Sequence, residues 1–183
     1  MTTDRMRAMW RSAHTAVPGV PRWARIAALT IPFTVLPSGI WRLPAAFRDG
    51  SSFGERLYIV CLSVGAEAIA FTALGLIAGW GERFPRWIPG LRGRRVPTAA
   101  AVVPAALGAV FLTILWTAAF SGIFAGQTWG GEPLPAEFPT QGGTLEAVIF
   151  YACYLPLLLW GPLLAAVAYA FHRRRRASVL SSS

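Results

Sequence analysis

The 183-residue sequence contains no lysine and little charge of either sign. All 17 basic residues are arginine, 8 residues are acidic, and charged residues make up 14% of the chain. A typical soluble domain has about 25% charged residues. Hydrophobic residues instead reach 55% here, which excludes an ordinary soluble fold. The complete absence of lysine, beside abundant Arg, Ala, Gly and Pro, is typical of a GC-rich genome.

Cysteine and histidine are also scarce, with two of each. Cys61 and Cys153 both lie in apolar segments. We interpret them as small buried hydrophobic side chains, and a disulfide bond between them is the alternative. His14 and His172 lie in basic flanks without partners at ligand spacing. The sequence has no phosphate-binding glycine loop, nucleophilic triad or dinucleotide fingerprint. We therefore expect no metal site, no cofactor and no ATP-driven or redox enzyme.

Four long apolar segments stand where charge is missing, and each is long enough to cross a bilayer as a helix. They cover residues 25–44, 57–80, 98–124 and 145–171. A basic arm, residues 1–24, precedes them, and a basic tail, residues 172–183, follows them. The sequence thus predicts an all-α protein, a transmembrane four-helix bundle in one membrane domain, residues 25–171. Prolines in the first and fourth segments predict kinks there.

The placement of the arginines indicates the orientation of the bundle. If Arg25 at the start of the first span is counted with the arm, 14 of the 17 arginines lie in the arm, the tail, and the loop between the second and third spans, which are on one side in any four-pass arrangement. Arginine concentrates on the cytoplasmic side of membrane proteins. We therefore predict a multi-pass protein of the bacterial inner membrane, N-in/C-in, with both termini in the cytoplasm. Because the arginines flank apolar segments, the net charge of +9 favours contact with anionic lipids and not with nucleic acid.

The sharpest candidate for chemistry is Glu67, near the middle of the second span. A charge at that depth costs roughly 2.5–3.5 kcal/mol on insertion scales, so such residues usually face the bundle interior and often have a function. Thr34 and Thr113 are predicted neighbours because they lie near the middle of their spans, and Ser63 because it lies one turn from Glu67 on the same face. Tyr151 and Tyr154 lie in the outer half of the fourth span and are expected to reach inward. We expect these residues to form a midplane ligand site in which Glu67 holds a proton, contacts a ligand or acts catalytically. The alternative is a neutral acid that joins helices by hydrogen bonds.

A second candidate is the arginine-rich loop between the second and third spans, which three prolines make stiff. Its arginines are Arg83, Arg86, Arg92, Arg94 and Arg95. A guanidinium group matches phosphate oxygens bidentately, so these residues are predicted to bind anionic lipid headgroups or a diphosphate. The alternative is that they fix topology alone, with Trp80 and Trp87 as interfacial anchors.

This loop and its surroundings resemble a known group of proteins. The string WGERFPRWIP, residues 80–89, has the form W-G-E-x-x-P-x-W-x-P, and the helix-forming AAAVVPAALGAVFLTILW follows it. Over residues 57–116 the chain resembles uncharacterised actinobacterial four-helix integral membrane proteins with such a cytoplasmic loop. The resemblance implies the same topology and a GC-rich source. It implies no activity.

Three functions follow as hypotheses. The first is a module that binds or moves a small ligand or proton at the midplane site, working as a homo-oligomer because four helices are few for a transporter. The second is an intramembrane lipid- or isoprenoid-modifying enzyme of the acid-catalysed cyclase type, with Glu67 as general acid. The third is an accessory subunit of a membrane complex, docked through the arginine-rich loop. The Gly75-x-x-x-Gly79 pair predicts close helix–helix approach in all three cases.

Overall fold

The computed structural model describes residues 17, 19–48, 50, 52–82, 96–128 and 130–180. Over these residues the chain is helical and forms no strand. The α-helices are α1 (Arg22–Ala46), α2 (Phe53–Thr72), α3 (Thr98–Phe124), α4 (Thr144–Tyr154) and α5 (Trp160–Leu180). Three short 3-10 segments accompany them: Ala73–Leu76 and Gly79–Glu82 after α2, and Leu155–Leu159 between α4 and α5.

Four helical stretches are long and apolar enough to cross a membrane: Arg22–Ala46, Phe53–Leu76, Thr98–Phe124 and Thr144–Ala177. Helix α3 shows most clearly how apolar their outer surfaces are. Ala109 and Phe120 are its buried residues out of 27, while Leu107 and Phe111 are more than 60% exposed. A helix that is apolar on every side is typical of a membrane span. The predicted all-α class with four apolar helices is confirmed.

The helices pack as a series of neighbours in the order α2, α1, α5, α3. Along α1 the fully buried side chains recur every three or four residues, at Ala24, Ala28, Ile31 and Val35, which places them on one face. Phe171 of α5 is among the largest fully buried side chains. Between membrane helices, close packing and not the hydrophobic effect stabilises the contact, so small residues such as these alanines bring the backbones together.

The ends of α2 follow from local chemistry. The Ser52 hydroxyl accepts a hydrogen bond from the Glu55 amide (3.2 Å), and the Glu55 carboxylate accepts one from the Ser52 amide (3.3 Å). This capping box starts the helix at Phe53. The α-helix ends at Thr72, where it changes to a 3-10 segment.

The predicted helix-packing pair, Gly75 and Gly79, consequently lies in 3-10 segments and does not form one face of an α-helix. The space beside Gly75 is filled by its own chain. A methyl group on Gly75 would lie 2.8 Å from the Trp80 ring, and one on Gly81 would overlap the Gly75 carbonyl. These two glycines allow the chain to turn tightly after α2.

Proline affects the first and fourth spans differently. Helix α1 contains Pro32, Pro37 and Pro44 and is assigned as helix without a break from Arg22 to Ala46. In the fourth span the α-helix ends at Tyr154, and the 3-10 segment that contains Pro156 separates α4 from α5.

The two ends of the bundle are formed by different parts of the chain. We call them the loop end, with the α3–α4 loop (residues 125–143), and the terminal end, where α1 starts and α5 finishes.

Candidate functional site

A cavity of about 570 Å³ lies at the loop end, between α3, the α3–α4 loop and α4. Its aromatic walls are Trp116, Phe120, Phe138, Phe150 and Tyr154, and Gln127 and Thr128 add polar groups. We call this cavity the chamber. Ligand pockets for small molecules typically measure about 300–1,000 Å³ and are mainly apolar with a few polar groups. The chamber has the size and the lining of such a pocket.

Ring packing holds the aromatic wall in place. The Phe150 ring stacks on the Tyr154 ring with centroids 4.6 Å apart and meets the Phe138 ring edge-on at 5.4 Å. Tyr151 touches Phe150 edge-on at 5.6 Å and stacks on Phe124 of α3 at 5.7 Å. Offset-stacked and edge-to-face pairs are the favoured arrangements of aromatic rings. The wall is thus one continuous cluster that joins α3, the loop and α4.

Backbone hydrogen bonds fold the loop back over the end of α3. The Gln127 amide donates to the Gly122 carbonyl (2.9 Å), and the Leu134 amide donates to the Gly126 carbonyl (3.0 Å). Gly126 has a φ of 71°, a conformation that residues with a side chain rarely adopt. The loop therefore forms a defined wall of the chamber.

Trp116, a residue of the chamber wall, has an unsatisfied hydrogen-bond donor. The Nε1–H of Trp116 is buried and has no partner among the residues that the structure describes. A buried tryptophan N–H usually finds an acceptor. Because this nitrogen has almost no accessible surface, its N–H does not face the open space of the chamber.

A polar cluster adjoins the chamber through Tyr154. Arg42, half-buried near the end of α1, places its guanidinium carbon 5.9 Å from the centroid of the Tyr154 ring. Its Nε donates to the Ser38 carbonyl (3.2 Å) and its Nη2 to the Ser38 hydroxyl oxygen (3.3 Å). The Ser38 hydroxyl in turn donates to the Val35 carbonyl (2.8 Å). The guanidinium is thus held by its own helix against a residue of the chamber wall.

Glu67 lies away from the chamber, on the face of α2 that packs against α1. It is half-buried, four residues after Ser63 and three before Ala70, both of which are buried. A methyl group on Gly39 of α1 would lie 3.9 Å from the Ser63 Cβ, so these two positions are level. Because α1 and α2 are antiparallel neighbours, moving four residues along each helix brings Glu67 level with Val35.

The polar groups at this depth are only partly satisfied. The Thr34 hydroxyl donates to the Ile31 carbonyl of its own helix (2.7 Å), so it has no proton left to donate. The Ser63 hydroxyl is buried with no hydrogen-bond partner among the described residues. The Glu67 carboxyl likewise makes no hydrogen bond or ion pair within that part of the chain. An acid and a hydroxyl that have no partner within the described ranges therefore lie one turn apart on α2.

The structure separates the remaining predicted site residues. Thr113 lies where α3 meets α5, since a methyl group on Gly161 would overlap the Thr113 hydroxyl. That hydroxyl donates to the Ala109 carbonyl (2.7 Å). Tyr154 lines the chamber, and Tyr151 packs behind its wall. The predicted set therefore falls into three places: the α1–α2 interface, the α3–α5 interface and the chamber.

The remaining predictions concern the arginine-rich loop, the two cysteines and metal binding. The arginines proposed for headgroup binding, Arg83, Arg86, Arg92, Arg94 and Arg95, lie outside the described residues. Cys61 and Cys153 are both free thiols. Within the described ranges, no group of three or more His, Cys, Asp or Glu residues is arranged to hold a metal ion.

Sequence reasoning missed Arg42 and Phe138 as site residues. The signal for Arg42 was present, because it is an arginine inside the predicted first span. Phe138 gave no such signal, because it lies in an irregular loop without periodicity. No protein-family model, no curated protein and no solved structure matches this chain.

Proposed function

We propose that this chain is a multi-pass inner-membrane protein that binds one small lipid-like ligand in the chamber. The observation that carries the proposal is the aromatic-lined cavity of about 570 Å³, built from α3, the loop and α4. Aromatic side chains offer large rigid apolar surfaces, which suit an acyl or isoprenoid chain. The few polar residues of the lining, Gln127 and Thr128, suit a ligand that also carries a polar group.

The positions of the acid and the aromatic rings favour binding over acid-catalysed cyclisation. A general acid must come within hydrogen-bond reach of its substrate, directly or through one water. Within the described part of the chain, the chamber walls come from α3, the loop and α4, whereas Glu67 belongs to α2. A substrate held among the chamber rings would therefore be separated from the proposed acid.

The chamber hypothesis is tested by filling the cavity. Ala119 of α3 lines the chamber, so Ala119→Trp should occupy it and expel the ligand. Ala100, an exposed residue on the same helix, gives the matched control Ala100→Trp. Mass spectrometry of molecules retained through purification in mild detergent should find one lipid-like species near equimolar ratio in the wild type. We expect its loss in Ala119→Trp and its retention in Ala100→Trp. Equal retention by both variants would contradict the proposal.

The proposed orientation places the chamber on the extracytoplasmic side, because the arginine-rich segments are assigned to the cytoplasm. Cysteine labelling tests this orientation in a Cys61→Ser, Cys153→Ser background. A membrane-impermeant maleimide applied to intact spheroplasts should label Gln141→Cys in the loop and leave Ser182→Cys in the tail unlabelled. After lysis both positions should react. The reverse pattern in intact spheroplasts would show that the chain is inverted.

A second candidate function is supported by two polar groups on α2 for which the described part of the chain supplies no partner. We propose that Glu67 and Ser63 form a site between α1 and α2 that passes a proton through the bundle or binds a small polar ligand. A buried polar group without a partner is costly, and such groups in membrane spans are retained mainly where they have a role. The Thr34 hydroxyl donates to its own helix, so its oxygen can accept a hydrogen bond from a protonated Glu67 or from a ligand at this level.

A further inference from the structure

Arg42 lies within the loop-end half of α1, four residues before Ala46 at the helix end. Its two hydrogen bonds to Ser38 use two of the five N–H groups of a guanidinium. The Tyr154 ring covers one face of the cation. The side chain is therefore fixed in direction, with three N–H groups left to donate to another molecule.

Among the described residues, the charge of Arg42 has no anionic partner. No carboxylate pairs with it in the part of the chain that the structure describes. Partial burial of a cation costs free energy unless an opposite charge compensates it, and an arginine in a membrane span usually pairs or reaches the headgroup region. An anion supplied by another molecule would remove this imbalance.

The ring of Tyr154 connects the chamber with Arg42. Tyr154 lines the chamber, and its ring lies against the Arg42 guanidinium. The cation of Arg42, which has no carboxylate partner in the described part of the chain, and the apolar aromatic cavity thus share one side chain. A molecule with an apolar chain and a negatively charged head matches both at once.

We propose that the ligand of the chamber is an anionic single-chain amphiphile, whose chain lies among the aromatic rings and whose phosphate or carboxylate head is bound by Arg42. This inference rests on the proposed function of the chamber and adds the charge class of its ligand. A guanidinium binds phosphate or carboxylate oxygens through paired hydrogen bonds, so Arg42 selects the head while the chamber accepts the chain.

Bulk bilayer headgroups are the other source of such an anion, and the experiment separates the two. The protein is purified in neutral detergent without phospholipid, which removes the bulk headgroups. Two radiolabelled probes with the same chain, hexadecyl phosphate and hexadecanol, are then titrated in a scintillation proximity assay. Arg48, exposed just after α1, provides the matched control Arg48→Gln, since it removes the same charge at the same end of the bundle.

We expect the wild type to bind hexadecyl phosphate saturably and at least about tenfold more tightly than hexadecanol. Arg42→Gln should weaken hexadecyl phosphate binding by a similar factor and change hexadecanol binding by less than about twofold. Arg48→Gln should change neither, and Arg42→Lys should restore part of the preference because it keeps the charge.

The outcomes distinguish the two levels of the proposal. Equal affinity of the wild type for the two probes, or an equal loss of both in Arg42→Gln, overturns the assignment of an anionic head and leaves the chamber as a lipid site. An Arg48→Gln effect as large as that of Arg42→Gln assigns the preference to general charge and overturns it too. Saturable binding of neither probe to the wild type overturns the proposed function of the chamber itself.

Discussion

Gly161→Ala is expected to destabilise the bundle more than any other single-methyl addition that we propose. Gly161 is the second residue of α5, and a methyl group there would overlap the Thr113 hydroxyl. It would also lie 2.7 Å from the Ala109 carbonyl oxygen and from the Thr113 amide nitrogen. Backbone atoms cannot rotate away as a flexible side chain can, so α3 and α5 must separate. Overpacking of this kind typically costs about 1–3 kcal/mol.

Thermal unfolding of the purified protein in detergent measures this effect. Gly65→Ala is the matched control, because a methyl group at Gly65 would meet nothing within 4 Å and helical alanine is intrinsically favoured. We expect a clearly lower Tm for Gly161→Ala and an unchanged or slightly higher Tm for Gly65→Ala. Adding Thr113→Ala should recover only part of the loss, since the Ala109 carbonyl stays in place. A wild-type Tm for Gly161→Ala would show that the α3–α5 contact is looser than described.

Glu67→Gln is expected to abolish proton movement if the second candidate function is correct. Glutamine keeps the shape and hydrogen bonding of the acid but cannot release a proton, so the change removes the proposed chemistry and preserves the packing. Proton entry into pyranine-loaded liposomes, driven by a potassium diffusion potential, is the measurement. Glu132→Gln in the exposed part of the loop is the control and should behave as the wild type.

Two results of that experiment would reject the proton role. One is equal flux through the wild type and Glu67→Gln. The other is wild-type flux no greater than that of protein-free liposomes. Neither result bears on the chamber, since Glu67 lies on α2 and the chamber walls belong to α3, the loop and α4.

The number and class of the helices could be predicted from sequence, because both depend on local composition. Helix α3 runs from Thr98 to Phe124, directly after Pro97 and with Pro104 as its sole internal proline. The depth of Glu67 along its span could also be predicted, because depth is obtained by counting residues along an apolar run. Such a count needs no knowledge of neighbouring helices.

The contacts between neighbouring helices could not be predicted in this way. Thr113 is on a helix that is apolar on every side, so its pattern does not indicate which face meets which neighbour. The contact of α3 with α5 depends on the absence of a side chain at Gly161, which depth does not reveal. The chamber was equally hidden, because Phe138 comes from a loop whose path is set by backbone hydrogen bonds and glycine conformation.

The five-residue 3-10 segment, Leu155–Leu159, has a geometric consequence for the fourth span. A 3-10 helix turns about 120° per residue where an α-helix turns about 100°, so five residues add roughly 100° of rotation. The side chains of α4 are therefore rotated about the helix axis, relative to those of α5, by roughly the angle that one residue of an α-helix covers. A straight α-helix through the same sequence would turn the α4 rings by about that angle relative to α5. Phe150 and Tyr154 would then leave the chamber, which would lose one wall while the bundle kept all its helices.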